Sequence, residues 1–113
     1  MNRQEHLLTI IAEECAEVAQ RASKASRFGL DEIQPGQEYD NRERILYEFI
    51  DLCGALELLN EGCIIEGMIA DQRPRINAKK AKIEKFLAYS QECGTLQGPA
   101  AVEDRASGEE GEK

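Results

Sequence analysis

Apolar residues recur at helical spacing over two long stretches of the chain, and this period restricts both stretches to α-helices. The first stripe consists of Leu7, Ile11, Cys15, Val18 and Ala22, which are three or four residues apart. It predicts a first helix over about residues 3–26. Arg27 lies where a cation complements the helix dipole, and Gly29 is the predicted stop.

The second helix has a clear beginning and a wider apolar surface. Asp40 is a good N-cap, and Glu43 three residues later completes a capping box. Its stripe consists of Ile45, Phe49, Leu52, Leu56 and Leu59, and a second side adds Leu46, Ile50 and Cys53. A helix that is apolar on two sides should be central, touching its own bundle and a second subunit. Gly62 is the predicted end, and Gly54 inside the helix indicates close approach of another backbone or a ligand.

Two further helical segments follow. Residues 63–72 carry a short apolar helix before Pro74, and the last helix runs over about residues 75–92 and is closed by Gly94. Its predicted packed face consists of Ile76, Ile83, Phe86, Leu87 and Tyr89. The connection 30–39 between the first two helices is longer than usual, and it is either a functional loop or a plain crossover.

Length and charge narrow the classes of protein to consider. A chain of 113 residues predicts one helical domain, 1–97, followed by a disordered acidic tail, 98–113, that is poor in large apolar residues. So short a chain is expected to complete its core with another copy of itself. The net charge of −8 argues against a nucleic-acid partner. No apolar run reaches the roughly 18 residues of a membrane span, so no membrane partner is expected.

The cysteines and the N-terminus predict a cytoplasmic protein. Cys15, Cys53, Cys63 and Cys93 show neither CxxC spacing nor neighbouring histidines. We expect reduced thiols in or near the core, with a structural disulfide as the less favoured alternative. The polar start of the chain, which runs directly into an amphipathic segment, predicts no signal peptide.

Glu13, Glu14 and Glu17 place three carboxylates within five residues of the first helix. Like charges at helical spacing destabilise a helix by about 0.2–0.5 kcal/mol per pair. Arg21 is the only base at helical spacing beyond this cluster. A bound divalent cation would remove the repulsion, because hard cations take carboxylate oxygens as ligands.

Glu48 and Asp51 form a matching pair on the second helix. At about 100° per residue, they lie about 60° and about 120° to one side of the apolar stripe. Glu14 and Glu17 have the same two offsets in the same sense on the first helix. Two antiparallel neighbours would therefore present both pairs on one face of a bundle, where four carboxylates converge.

The arrangement E-E-x-x-E on the first helix and E-x-x-D on the second resembles the all-α nucleoside triphosphate pyrophosphohydrolases, the MazG-like superfamily. The resemblance covers about residues 5–94, and residues 77–82 are a third, looser element. The spacing between the two acidic motifs is at the long side for that family. The resemblance implies an all-α helical bundle with an oligomer-completed core, as a homodimer or homotetramer.

The resemblance also implies an activity and a site. The implied enzyme hydrolyses a nucleoside triphosphate between the α and β phosphates with Mg²⁺, or with Mn²⁺ as a substitute. The implied metal ligands are Glu14, Glu17, Glu48 and Asp51, and Glu13 would be a further catalytic carboxylate that helps a second ion or orients water. The implied phosphate contacts are Asn77, Lys79 and Lys82. No motif names the base, which we expect the loop 28–39 and a neighbouring subunit to read.

Two other interpretations compete with this one. In a non-catalytic helical interaction or oligomerisation module, the acidic patches and the lysines of the last helix would be ordinary solvated faces. A di-iron helical bundle needs Glu-x-x-His pairs, whereas the single histidine, His6, lies eight residues before Glu14. His6 is therefore interpreted as a surface residue.

Overall fold

The computed structural model describes residues 1–98, and these contain helices and no strand. The four helices are α1 (Arg3–Phe28), α2 (Asn41–Leu59), α3 (Ile65–Asp71) and α4 (Arg73–Glu92). The all-α class is therefore confirmed. The described residues divide into two compact units, 1–68 and 69–98. The predicted tail 98–113 lies outside the described residues except for Gly98.

Helix α1 is capped at both ends by local hydrogen bonds. The Asn2 side chain accepts from the backbone N–H of Glu5 at 2.8 Å, and the Glu5 carboxylate accepts from the backbone N–H of Asn2 at 2.8 Å. The helix ends at Phe28, and Gly29 follows with a φ of 99°, which favours glycine. The stop predicted at Gly29 is thus confirmed, and the helix itself extends two residues beyond its predicted end at about residue 26. The capping box of Asn2 and Glu5 was not predicted, although the two residues have the required spacing.

Helix α2 begins as the sequence predicts and ends earlier. Asp40 accepts from the Glu43 backbone N–H at 2.8 Å, and the Glu43 carboxylate accepts from the Asp40 backbone N–H at 3.1 Å. The helix ends at Leu59, not at Gly62. Asn60 explains the earlier end, because its backbone N–H and its side-chain amide both donate to the Leu56 carbonyl.

The crossover between α1 and α2 is fastened by Asn41, whose side chain is only 2% exposed. Its amide donates to the Gly29 carbonyl at 2.8 Å and to the Glu32 carboxylate at 2.9 Å. The backbone N–H of Arg42 donates to the Leu30 carbonyl at 3.0 Å. These bonds hold the end of α1 beside the start of α2, so the two helices pack as an antiparallel pair.

The packed face of α1 is rotated from the predicted stripe. Leu7, Arg21 and Ala25 are buried, whereas Cys15 and Ala22 of that stripe are exposed. The half-buried Glu14 lies midway between Leu7 and Arg21, at intervals of seven residues. A seven-residue repeat follows the contact line between two helices whose axes are nearly aligned. Three of the four steps in the predicted stripe are four residues long, so the stripe drifts away from this line. Glu14 therefore lies on the packed face, not at its edge.

The side of α2 that faces away from α1 is apolar and exposed. Leu46 is 60%, Phe49 42% and Ile50 56% exposed, so the predicted burial of Phe49 is wrong for the single chain. Ala55 is the buried apolar residue of this helix. One neighbouring helix covers only one side of α2, and the other side would need a further partner.

The short helix α3 is confirmed, whereas the predicted packed face of α4 is not. The backbone N–H of Ile65 donates to the Glu57 carboxylate at 2.9 Å, which fixes the start of α3. Helix α4 starts two residues earlier than predicted and takes Pro74 into its first turn, where a missing N–H costs nothing. It buries none of its residues, and Phe86 and Tyr89 are 53% and 60% exposed.

The four cysteines all lie within the described residues and are free thiols. Cys53 and Cys63 are half-buried, in agreement with a near-core position. Cys15 and Cys93 are exposed, so a near-core position is wrong for Cys15, which lies beside the rotated face of α1. In the part of the chain that the structure describes, every helix is too short or too polar to cross a membrane.

Gly54 provides a test of the exposed side of α2. Apart from the neighbouring backbone of α2 itself, no atom of the described chain lies within 4 Å of the position that a Cβ would take, so the predicted close approach is not made here. Gly54→Ala should raise the free energy of unfolding by about 0.5–1 kcal/mol, because alanine loses less backbone entropy in a helix. Urea unfolding would measure this, with Gly67→Ala in α3 as the matched control. A loss of stability in the Gly54 variant alone would show that another chain approaches there.

Candidate metal centre

The antiparallel pairing of α1 and α2 brings three carboxylates together. One oxygen each from Glu14, Glu48 and Asp51 lies within 4.8 Å of the others. Glu14 and Glu48 are half-buried, whereas Asp51 is exposed. Glu48 and Asp51 share a face because they are three residues apart on α2. The structure thus joins a carboxylate of the first acidic motif to both carboxylates of the second.

The other acidic residues of the first motif lie outside this group of three. Glu17 is exposed, yet among the surrounding carboxylates it has the largest effect on the pKa of Glu48. It therefore lies beside the group, one turn of α1 beyond Glu14. Glu13 is exposed and is not part of the group. We call Glu14, Glu17, Glu48 and Asp51 the acidic cluster.

The electrostatics of the acidic cluster favour a bound cation. The pKa of Glu48 is raised by burial first, and then by the charges of Glu17, Asp51 and Glu14. Arg21 lowers it. A carboxyl group held among like charges binds its proton more tightly, and a cation of higher charge would replace that proton. The donor set consists of hard oxygens only, which fits Mg²⁺ or Mn²⁺ and not a thiolate- or imidazole-bound metal.

Arg21 is the residue of this region whose environment the sequence analysis did not predict. Its side chain is only 6% exposed, and its Nε and Nη1 atoms have no hydrogen-bond partner among the described residues. Charged side chains are almost never fully buried unless paired. The sequence spacing could have indicated this position, because Arg21 lies seven residues after Glu14 and four after Glu17, on the same face of α1.

The predicted phosphate contacts lie on α4, in the second unit. Asn77, Lys79 and Lys82 are all exposed. Lys79 and Lys82 line a shallow groove along this helix, together with Ile83, Phe86, Leu87 and Ser90. The groove therefore combines two positive charges with an apolar floor, and it is formed by α4 alone.

Comparison of the chain with models of known protein families, with curated proteins and with solved structures found no match. The assignment of a function therefore depends on the chemistry of the residues themselves.

Glu48→Gln tests the repulsion in the acidic cluster without any ligand. A raised pKa means that the folded protein binds the Glu48 proton more tightly than the unfolded chain does. Ionisation of Glu48 then lowers stability as the pH rises from the unfolded pKa of about 4.3 through the folded pKa. The variant should be more stable than the wild type at pH 7, and this advantage should vanish near pH 4.

Urea unfolding between pH 4 and pH 8, with EDTA present, would measure the difference. Glu84→Gln replaces an exposed carboxylate of α4 outside the acidic cluster and is the matched control. An advantage of Glu48→Gln that does not change with pH would contradict the electrostatic explanation.

Proposed function

We propose that the protein is a metal-dependent nucleoside triphosphate pyrophosphohydrolase of the MazG-like type. It would cleave the substrate between the α and β phosphates and release a nucleoside monophosphate and pyrophosphate. The observation that supports this most is the group formed by Glu14, Glu48 and Asp51, whose oxygens lie within 4.8 Å of one another. These residues come from the two acidic motifs that carry the resemblance to that superfamily.

Each acidic residue has a part in this proposal. Glu14, Glu48 and Asp51 hold Mg²⁺ through carboxylate oxygens. Glu17 is the fourth ligand in this proposal, since its side chain is exposed and its charge acts on Glu48. Glu13 is a further carboxylate, exposed beside Glu14, that orients water or assists a second ion. Bound Mg²⁺ offsets phosphate charge and lowers the pKa of an attacking water.

The basic groove of α4 is the proposed contact for the phosphate chain. Lys79 and Lys82 supply positive charge in a protein of net charge −8, and Asn77 adds an amide. Charge-assisted hydrogen bonds to phosphate are about twice as strong as neutral ones. Exposed lysines can form them without losing a partner, since the described residues give these two no ion pair.

Assembly is part of the proposal. The exposed side of α2 carries the large apolar side chains of Leu46, Phe49 and Ile50, which form an apolar patch. Monomeric proteins rarely leave large contiguous apolar patches in water. We infer that a second copy of the chain covers this side, which would give a homodimer or a homotetramer.

The exposed apolar side of α2 also favours a second candidate, a non-catalytic helical interaction module. In that case, the acidic cluster would be an ordinary solvated surface without a ligand. Release of pyrophosphate from nucleoside triphosphates by the purified protein, with and without Mg²⁺, separates the two candidates. A panel of standard and modified nucleotides would then identify the preferred base.

Glu48→Gln should separate activity from stability. The neutral amide is a poorer ligand than a carboxylate, so we expect pyrophosphate release to fall by at least about 100-fold. The variant should also lose most of the rise in melting temperature that Mg²⁺ gives the wild type. Glu84→Gln should behave as the wild type in both measurements. Full activity of Glu48→Gln, or a wild-type melting temperature that does not change when Mg²⁺ is added, would exclude this metal site.

Light scattering at micromolar concentration should give at least twice the mass of one chain. Leu46→Lys should shift the mass toward that of the monomer, because a charge on the apolar side of α2 would be desolvated in the interface. Ile64→Lys, which changes a similarly exposed apolar residue just before α3, is the control. A wild-type monomer would show that the exposed side of α2 needs no second copy.

A further inference from the structure

Arg21 carries a buried positive charge that no described residue neutralises by contact. Its side chain is 6% exposed, and both Nε and Nη1 are buried without a hydrogen-bond partner. A guanidinium group presents five N–H donors and cannot give up its proton. Burying it without a partner therefore costs free energy, and contact with an anion would offset that cost.

The position of Arg21 limits what that anion can be. It lies on the face of α1 that carries Glu14 and Glu17, and its charge reaches Glu48. Even so, no carboxylate of the acidic cluster pairs with it: the ion pair formed by the described residues joins Arg42 to Asp31, at 3.7 Å. A structural salt-bridge network would have paired these groups. Among the described residues, Arg21 forms no such pair.

We propose that Arg21 binds an oxygen of the substrate's phosphate chain at the edge of the acidic cluster. This inference rests on the proposed function. The planar fork of a guanidinium matches two phosphate oxygens, which makes arginine well suited to this contact. Bound Mg²⁺ would offset the charge of these carboxylates and weaken their attraction for Arg21, so the Arg21 donors would remain available to the ligand that the metal also attracts.

The charge balance explains why such a residue is needed. Four carboxylates and one guanidinium leave the region with three net negative charges, which repel a phosphate chain. Metal binding removes part of this repulsion, and Arg21 then provides a fixed positive group on the same helix. Binding of Mg²⁺ should therefore strengthen binding of the phosphate chain, and the two ligands should be coupled.

Arg21→Met tests the proposal because the two ligands respond in opposite directions. Titration calorimetry with Mg²⁺ alone should show affinity that is unchanged or higher, since removal of a positive charge makes the acidic cluster more attractive to a cation. Titration with inorganic tripolyphosphate at saturating Mg²⁺ should show roughly 10- to 100-fold weaker binding. Arg21→Lys keeps the charge and loses the fork, and it should recover part of the affinity.

Separate measurements test whether Arg21→Met changes folding rather than ligand binding. The melting temperature of ligand-free Arg21→Met should be unchanged or higher, because the variant removes an unpaired buried charge. Arg42→Met, which changes an exposed arginine outside the acidic cluster, should bind both ligands as the wild type does. If Arg21→Met melts lower and weakens both ligands alike, or loses the wild-type mass in light scattering, Arg21 is a structural residue and the proposal is wrong.

Hydrolysis distinguishes a failure of this proposal from a failure of the proposed function. If the wild type releases pyrophosphate and Arg21→Met has an unchanged KM, the function stands and the role of Arg21 is overturned. If the wild type hydrolyses no nucleotide yet binds tripolyphosphate through Arg21, the site is supported without the activity. A non-hydrolysable nucleoside triphosphate analogue should lose as much affinity as tripolyphosphate. A loss for the analogue alone would place Arg21 against the nucleoside and overturn the proposal.

Discussion

The contact between α1 and α2 is the interaction on which the rest of this structure depends. The capping boxes at Asn2 and Asp40 fix where the two helices begin, and Asn41 fastens the end of one to the start of the other. Because the pair is antiparallel, Glu14 lies opposite Glu48 and Asp51. Each of these local bonds is modest in free energy. Together they determine which charged groups face one another.

The acidic cluster is unfavourable for folding, and this favours a functional explanation for it. Burial and three neighbouring carboxylates raise the pKa of Glu48, so the folded chain tolerates repulsion that the unfolded chain does not have. A surface selected for stability alone would place lysines between these groups. Here the base whose charge acts on Glu48 is Arg21, which is buried and makes no ion pair with the acidic cluster among the described residues.

The sequence predicts the helices and the acidic cluster well, because both depend on spacing within a single element. Asp40 with Glu43, and Gly29 at a positive φ, are signals of this local kind. The burial of Arg21 and the exposure of Phe49 could not be predicted in this way, since both depend on which face meets a neighbour. The predicted stripe of α1 is right for Leu7, Ile11 and Val18 and wrong for the exposed Cys15 and Ala22, whereas the seven-residue spacing of Leu7, Glu14 and Arg21 follows the packed face.

The fastening of the crossover by Asn41 has a consequence for insertions and deletions. The carboxylates keep their register because Glu14 lies 15 residues before Gly29 and Glu48 lies seven residues after Asn41. One residue added within either helical interval would turn the carboxylates beyond it by about 100°, away from their partners. A residue added in the crossover, between Gln34 and Gln37, would change only a turn. Homologues should therefore differ in length in the crossover, while both helical intervals keep a fixed number of residues.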